Sequence, residues 1–253
     1  MRAPVDTIAA PLFPRNLPWV NVPVGSQVSI IQRDRPLLVE FWDFCRPHSM
    51  RTQPYLKAWH ERYSVHGLRI VGVHSPGFEV SHDEQAVREA VARLGIEYPV
   101  LIDSELELWQ EYENQGWPAR YLFDGRARLF DYHYGEGDYQ GTELAIQQLL
   151  GIEREPLEPL RPEDAPGAEL SPPTPEQPGA YSGRYEAGGV WAVLEGHGTV
   201  TVNGEKLEIP ATGAWELIAH ERHTAANLVL EIGRGLVCLA TCFTPGRSGS
   251  RPA

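Results

Sequence analysis

Residues 36–54 read PLLVEFWDFCRPHSMRTQP: an apolar run, a short polar turn and the start of a long amphipathic segment. An apolar run of this kind, with Glu40 as its single charged residue, is typical of a strand buried on both faces of a sheet. The spacing of apolar residues over 49–64 predicts a helix. The turn between them, FCRPHS at 44–49, contains one cysteine, Cys45. Any chemistry at the end of this strand therefore depends on Cys45 and its polar neighbours.

The alternation of strands and helices continues to residue 151 and predicts an α/β fold with a mixed central sheet flanked by helices. We predict strands at 36–42, 68–74, 98–103, 119–124 and 127–134, and helices at 49–64, 82–95, 105–114 and 139–151. Asp124-Gly125-Arg126 is a turn signal, so the last two strands are expected to form an antiparallel hairpin.

The composition changes after residue 151. Residues 152–180 contain eight prolines and seven acidic residues but few large apolar ones, which predicts a stiff, solvated linker. Residues 181–246 contain only strand-like runs and glycine turns, with a hairpin signal at Asn203-Gly204. They predict an all-β module of about six strands, a sandwich or half barrel. We expect a disordered tail at 247–253.

The net charge of the 253-residue chain is −12, which argues against nucleic acid and anionic membranes as partners. Neutral or cationic partners remain open. Prolines interrupt every apolar run near the N-terminus, so we expect neither a secretory signal nor a membrane span, and a cytoplasmic location. Three cysteines, at 45, 238 and 242, are too few for a disulfide framework. The sequence does not indicate the oligomeric state.

Six segments, in order, carry a family resemblance: LPWVNV (17–22), VEFWDF (39–44), MRTQPYLKAWHERY (50–63), VGVHSPGFE (71–79), WPARYLFD (117–124) and YGEGDY (134–139). Together they resemble the TlpA/DipZ-type thioredoxin-like proteins, over nearly all of residues 10–151. The resemblance implies a thioredoxin-like domain at 1–151. The β module at 181–246 is similar to the carbohydrate-binding-like domain that follows thioredoxin in DipZ-type proteins.

In that family the turn carries Cys-x-x-Cys, and a helix proline follows the second cysteine by five residues. Counting back from Pro54 without gaps places Arg46 and Ser49 at the two cysteine positions. Dithiol exchange needs an attacking thiolate and a second, resolving thiol. Neither Arg46 nor Ser49 supplies one, and Cys45 lies just before the motif.

The resemblance further implies a cis bond at Trp117-Pro118, facing the turn. A groove formed by Phe44, Ser49, Trp117 and Pro118 would bind an extended peptide or a protein partner. The leading hypothesis is therefore a redox-inactive, peptide-binding relative of thiol-disulfide oxidoreductases.

Two alternatives stay open. Cys45 could act as a single-thiol oxidoreductase or peroxidase, because Arg46, His48 and the helix N-terminus would stabilise its thiolate. In that case an external thiol would have to complete the cycle. In the other alternative, the β module binds carbohydrate through Trp191, Trp215, Tyr181 or Tyr185.

No cofactor motif is present, and we predict neither a cofactor nor a metal site. His48, His74 and His133 could converge near the turn, but histidines without a ligand pattern more often satisfy local hydrogen bonds. Glu136 and Asp138 in YGEGDY are interpreted as loop and helix-cap residues.

Overall fold

The computed structural model describes residues 7–23 and 34–248. The chain divides into two units, residues 1–44 with 48–158, and residues 45–47 with 159–253. Within the described ranges, no helix is both long enough and apolar enough to cross a membrane.

A six-stranded mixed sheet forms the centre of the first unit. Its strands are β1 (Trp19–Val20), β2 (Leu37–Trp42), β3 (Arg69–His74), β4 (Val100–Ile102), β5 (Ala119–Phe123) and β6 (Leu129–Tyr134). The order is β1-β4-β3-β2-β5-β6, in which β2, β3 and β4 are parallel and the other pairs are antiparallel. The predicted mixed sheet is confirmed, and β5 and β6 form the expected hairpin.

Three helices of this unit lie between its strands along the chain, and a fourth follows the last strand. They are α1 (Pro47–Tyr63), α2 (Glu84–Arg93), α3 (Glu107–Glu111) and α4 (Tyr139–Leu150). Helix α1 begins two residues earlier than predicted, with Pro47 in its first position, where a backbone N–H is not needed. The turn that precedes α1 is correspondingly short.

Strand β2 is buried along its whole length, as expected for a central strand. It nevertheless contains Glu40, which lies in register with Arg120 of β5 and accepts a hydrogen bond from Gln53 of α1 at 3.2 Å. Burial raises the pKa of Glu40 well above its usual range, although the positive charge of Arg120 opposes this. The strand leading into the turn is thus joined to β5 through its backbone and to α1 through the Glu40–Gln53 hydrogen bond.

The second unit is built from strands. They are β7 (Leu170–Ser171), β8 (Gln177–Pro178), β9 (Gly183–Gly196), β10 (Gly198–Val202), β11 (Glu205–Ile209), β12 (Gly213–Leu228), β13 (Leu230–Ile232), β14 (Leu236–Thr244) and β15 (Gly246–Arg247). They form sheets of order β11-β10-β13, β12-β9-β14-β8 and β15-β7. Residues 189–194 of β9 are paired on both sides, with β12 and with β14. This confirms an all-β module.

Asn203 and Gly204 form the tight turn that their sequence predicts. Both have positive φ, 51° and 89°, and they join β10 to β11 with Val202 opposite Glu205. Positive φ at both central residues is what a two-residue hairpin of this type requires.

The proline-rich segment at 152–180 contributes two short strands to the second unit. Ser171 of β7 pairs with Gly246 of β15, and Gln177 of β8 pairs with Thr241 of β14. The predicted boundaries of domain, linker and module stay a prediction. Of the predicted tail, Arg247 lies in β15 and residues 249–253 lie outside the described residues.

Candidate functional site

The turn at 44–49 joins β2 to α1, and four of its residues are buried: Phe44, Cys45, Pro47 and Ser49. The exposed fractions of Phe44, Cys45 and Ser49 are 1%, 0% and 0%. The hydroxyl of Ser49 accepts a hydrogen bond from the backbone N–H of Asp43 at 3.2 Å. Ser49 therefore holds the turn closed with its hydroxyl, and the Cys45 thiol is shielded from solvent.

Arg46 is partly exposed and belongs to the second unit. Its guanidinium lies 3.8 Å from the carboxylate of Glu176, and half of the Glu176 side chain is exposed. An ion pair this open to solvent contributes little to stability. Glu176 also accepts a hydrogen bond from the thiol of Cys242 at 3.3 Å. Burial and the charge of Glu176 raise the pKa of Cys242, so this thiol stays protonated.

His48 is the accessible histidine of the turn, with 43% of its side chain exposed. Its Nδ1 lies 2.5 Å from Oε1 of Glu136, in the loop between β6 and α4. The Nε of Arg51, one turn further along α1, donates to both oxygens of Glu136 at 2.8 and 3.0 Å. We refer to His48, Glu136 and Arg51 as the histidine–carboxylate cluster.

Charge governs the ionisation of Glu136. Burial opposes its negative charge, but the hydrogen bond of His48 and the positive charge of Arg51 outweigh burial and hold its pKa below the usual range. Glu136 is therefore ionised at neutral pH. Charge-assisted bonds of this kind are among the stronger hydrogen bonds in proteins.

Within the cluster, Glu136 orients the imidazole ring of His48. A carboxylate on Nδ1 fixes the ring and favours a proton on that nitrogen, which leaves Nε2 as the acceptor in the neutral tautomer. Within the described residues, no hydrogen bond is made to Nε2 of His48. The cluster can therefore accept or donate a proton at the surface of the turn.

Neither Glu136 nor Arg51 is a site residue in the sequence interpretation. The sequence predicts only that Glu136 lies in a loop, and Glu136 is 88 positions from His48 in the chain. The available signal was an acidic residue between two glycines, directly after a strand of the same sheet as the turn. Asp138 is the N-cap of α4, as predicted, but its side chain makes no capping hydrogen bond.

His74 and His133, the other histidines considered near the turn, lie in different surroundings. His74 is fully buried, with its ring stacked on Phe44 at 5.2 Å and its Nε2 3.5 Å from Asp43. Nε2 of His133 lies 2.9 Å from the backbone carbonyl of Glu136, and burial together with the charge of Arg120 lowers the pKa of His133. The described part of the chain contains no group of three His, Cys, Asp or Glu residues able to hold a metal ion.

The Trp117–Pro118 bond is cis, and both residues are held by the surrounding backbone. Trp117 Nε1 donates to the carbonyl of Ser75 at 2.8 Å, and the Pro118 carbonyl accepts from Gly135 at 2.7 Å. Pro118 is buried and Trp117 is partly buried. Of the predicted groove residues, only Trp117 is accessible.

No protein-family model matches the chain. Protein DipZ of Mycobacterium bovis is 30% identical over 179 residues, which cover 68% of this chain and 26% of DipZ. The chain thus spans about a quarter of this relative. The thiol-disulfide oxidoreductase YkuV of Bacillus subtilis is 26% identical over 132 residues, which cover 52% of this chain and 87% of YkuV.

A solved structure supports the same relationship. The solution structure of a thioredoxin-like protein in the oxidised form superposes with a TM-score of 0.50 at 25% identity. The superposition covers 57% of this chain and 97% of that protein.

Proposed function

This chain is a thioredoxin-like protein of the TlpA/DipZ type, and from that premise we propose that it binds an extended peptide or protein without performing dithiol exchange. Arg46 and Ser49 stand where the family's two cysteines stand. The binding surface is formed by the 44–49 turn and the Trp117–Pro118 loop.

The observation that carries the proposal is the burial of Ser49 together with the hydrogen bond that its hydroxyl makes. Ser49 is fully buried and its hydroxyl holds the backbone of Asp43. A residue in this role cannot resolve a mixed disulfide, which requires a thiol. The three cysteines of the chain form no disulfide. The turn therefore has a structural hydroxyl where a redox protein needs a thiol.

Accessible groups near the turn support binding. His48 lies in the first turn of α1 with 43% of its side chain exposed, and Trp117 is partly exposed. The fold that presents these side chains is the one whose relatives include a thiol-disulfide oxidoreductase. A recognition surface of this kind does not depend on the thiols.

The two alternatives have less support. Cys45 has no exposed surface, so a peroxide or a thiol in solution cannot reach its sulfur. Among the aromatic residues considered for carbohydrate binding, Trp191 and Tyr185 are buried, and Tyr181 and Trp215 are partly buried against the core. Sugar rings bind to exposed aromatic faces.

Insulin reduction by dithiothreitol tests the absence of dithiol exchange. We expect the wild-type chain and Cys45→Ser to leave the rate at background. The double variant Arg46→Cys/Ser49→Cys, which restores both thiols, is the matched control and should form an internal disulfide on oxidation. Turnover by the wild-type chain above background would overturn the proposal.

Titration calorimetry with a reduced and alkylated, permanently unfolded protein tests binding. We expect His48→Ala to weaken binding, because His48 is the accessible side chain of the cluster. His66→Ala, which changes an exposed histidine outside the turn, should leave binding unchanged. Equal binding by both variants would place the peptide elsewhere.

A further inference from the structure

A second recessed surface lies in the first unit. It has a volume of about 610 Å³ and is lined by the 8–11 segment, by the end of α3 and by side chains of β5 and β6. Four of its lining residues are tyrosines, and we call it the tyrosine pocket: Tyr112, Tyr121, Tyr132 and Tyr134. None of the functions considered above uses it.

The tyrosine rings stand at steep angles to one another. Tyr121 and Tyr134 are 5.9 Å apart with their planes at 86°, and Tyr132 and Tyr134 are 5.6 Å apart at 63°. Tyr112 meets Tyr121 at 5.1 Å and 69°. Rings in this arrangement form differently oriented walls instead of a single stack, so a group entering the pocket can meet an aromatic face.

The charged residues among the described lining of the pocket are acidic. Glu111 and Glu113 line it, and both are exposed. Among its described lining residues there is no lysine, arginine or histidine. Aromatic faces with carboxylates nearby attract cations, and the net charge of −12 acts in the same direction.

The pocket also contains a polar atom with no partner. The hydroxyl of Tyr112 is buried and makes no hydrogen bond within the described part of the chain. The hydroxyl of Tyr121, by contrast, donates to Asn114 at 2.9 Å. Burial and the charge of Glu111 raise the pKa of Tyr112, so its hydroxyl remains neutral and can accept a hydrogen bond. Leaving such an atom unpaired is unfavourable, and a ligand that donates to it would remove the cost.

We propose that the tyrosine pocket binds an arginine side chain of a peptide partner. A guanidinium is planar, stacks on aromatic rings and presents five N–H donors, which suit two carboxylates and one hydroxyl. The pocket is larger than one side chain, which leaves room for the residues beside the arginine. Tyr134 pairs with Ala119, directly after Pro118, so the pocket adjoins the loop assigned to peptide binding. The inference rests on the proposed function and specifies its partner.

Calorimetric titration of the full chain with short blocked peptides tests this proposal. The peptides carry a central arginine, lysine or citrulline, and citrulline matches arginine in shape but has no charge. We expect arginine to bind at least about fivefold more tightly than citrulline, and more tightly than lysine, with affinity falling as salt rises. Equal binding of arginine and citrulline, or no binding of the arginine peptide, would overturn the proposal.

Substitutions inside and outside the tyrosine pocket test whether the arginine peptide binds there. Glu111→Gln/Glu113→Gln and Tyr134→Leu should each weaken the arginine peptide about tenfold. Glu105→Gln/Glu107→Gln makes the same change of charge at exposed residues outside the pocket and should have no effect. Circular dichroism verifies that each variant is folded. If both double variants weaken binding equally, the effect is one of overall charge and the pocket is not the site.

The two proposals fail in different ways. If the unfolded protein binds and depends on His48, but the arginine peptide does not bind, the proposed function stands and the pocket inference falls. If insulin is reduced by the wild-type chain while the arginine peptide binds as expected, the proposed function falls and the pocket remains a binding site.

Discussion

Glu136 is ionised in the native protein at pH values where a free glutamate begins to take up a proton. Burial alone would raise its pKa, but His48 and Arg51 outweigh burial and lower it. A carboxyl whose pKa is lower in the folded than in the unfolded state stabilises the fold above its unfolded pKa. This contribution to stability is lost as the pH falls through the pKa that Glu136 has in the folded state.

Glu136→Gln should therefore lower the free energy of unfolding near pH 7 by about 1–3 kcal/mol, because the buried Arg51 loses the charge-assisted bonds that it makes to this carboxylate. The difference from the wild-type chain should shrink below about pH 4.5, where the unfolded carboxyl is protonated too. Urea unfolding between pH 3 and pH 7 measures both effects. Glu105→Gln is the exposed control, and a pH-independent difference for Glu136→Gln would contradict the prediction.

The three thiols should react in an order set by their burial. Cys45 and Cys242 are buried, whereas Cys238 is partly exposed. We expect iodoacetamide to modify Cys238 first in the native protein, at less than the rate of a free thiol because burial raises its pKa. Cys45 and Cys242 should react only on unfolding. Peptide mapping by mass spectrometry measures this, and rapid labelling of native Cys45 would restore the single-thiol hypothesis.

At the scale of an element, β3 depends on the absence of a side chain at Gly72. A Cβ at this position would lie 2.9 Å from Nε1 of Trp42 and 3.2 Å from the ring of Tyr98. Both neighbours are fully buried, so neither can move freely.

Gly72→Ala should therefore lower the free energy of unfolding by about 1–3 kcal/mol, as is usual for overpacking. Gly116→Ala provides the matched control, because nothing lies within 4 Å of a Cβ there. Chemical denaturation of both variants tests the prediction. An unchanged stability for Gly72→Ala would mean that Trp42 and Tyr98 can shift together.

The elements most readily predicted from sequence are those that bury apolar side chains. The predicted bounds of strand β2 agree with the structure to within one residue, because Glu40 is the single polar residue in an otherwise apolar run. Strands β7 and β8 were missed, because they lie in a proline-rich segment and are held by pairing of their backbones. The length of strand β12 is not evident from sequence, since its middle residues are polar and its register shifts twice against β9.

The candidate site was predictable only in part. Cys45, Arg46, His48 and Ser49 lie within five consecutive residues, so a motif comparison identifies them. The partner of His48 comes from a distant loop, and no local pattern connects it with the turn. Burial of Cys45 and Ser49 is likewise a property of packing, which spacing along the chain does not report.

For the whole molecule, the negative net charge disfavours nucleic acids as binding partners. A net charge of −12 repels polyanions at long range, and a protein that binds nucleic acid needs basic groups to contact the phosphates. We expect no binding of a fluorescently labelled DNA duplex by the full chain at about 0.15 M salt, where screening acts within about 8 Å. Fluorescence anisotropy is the measurement. Saturable binding at micromolar concentration would contradict the prediction.

Amide hydrogen exchange in strand β9 reports how often the second unit opens. Its residues 189–194 have partner strands on both sides, so freeing their amides requires β12 or β14 to detach. In deuterated solvent these amides should be the last of the second unit to lose their protons. Their rate of loss would follow the opening of this unit separately from events in the first.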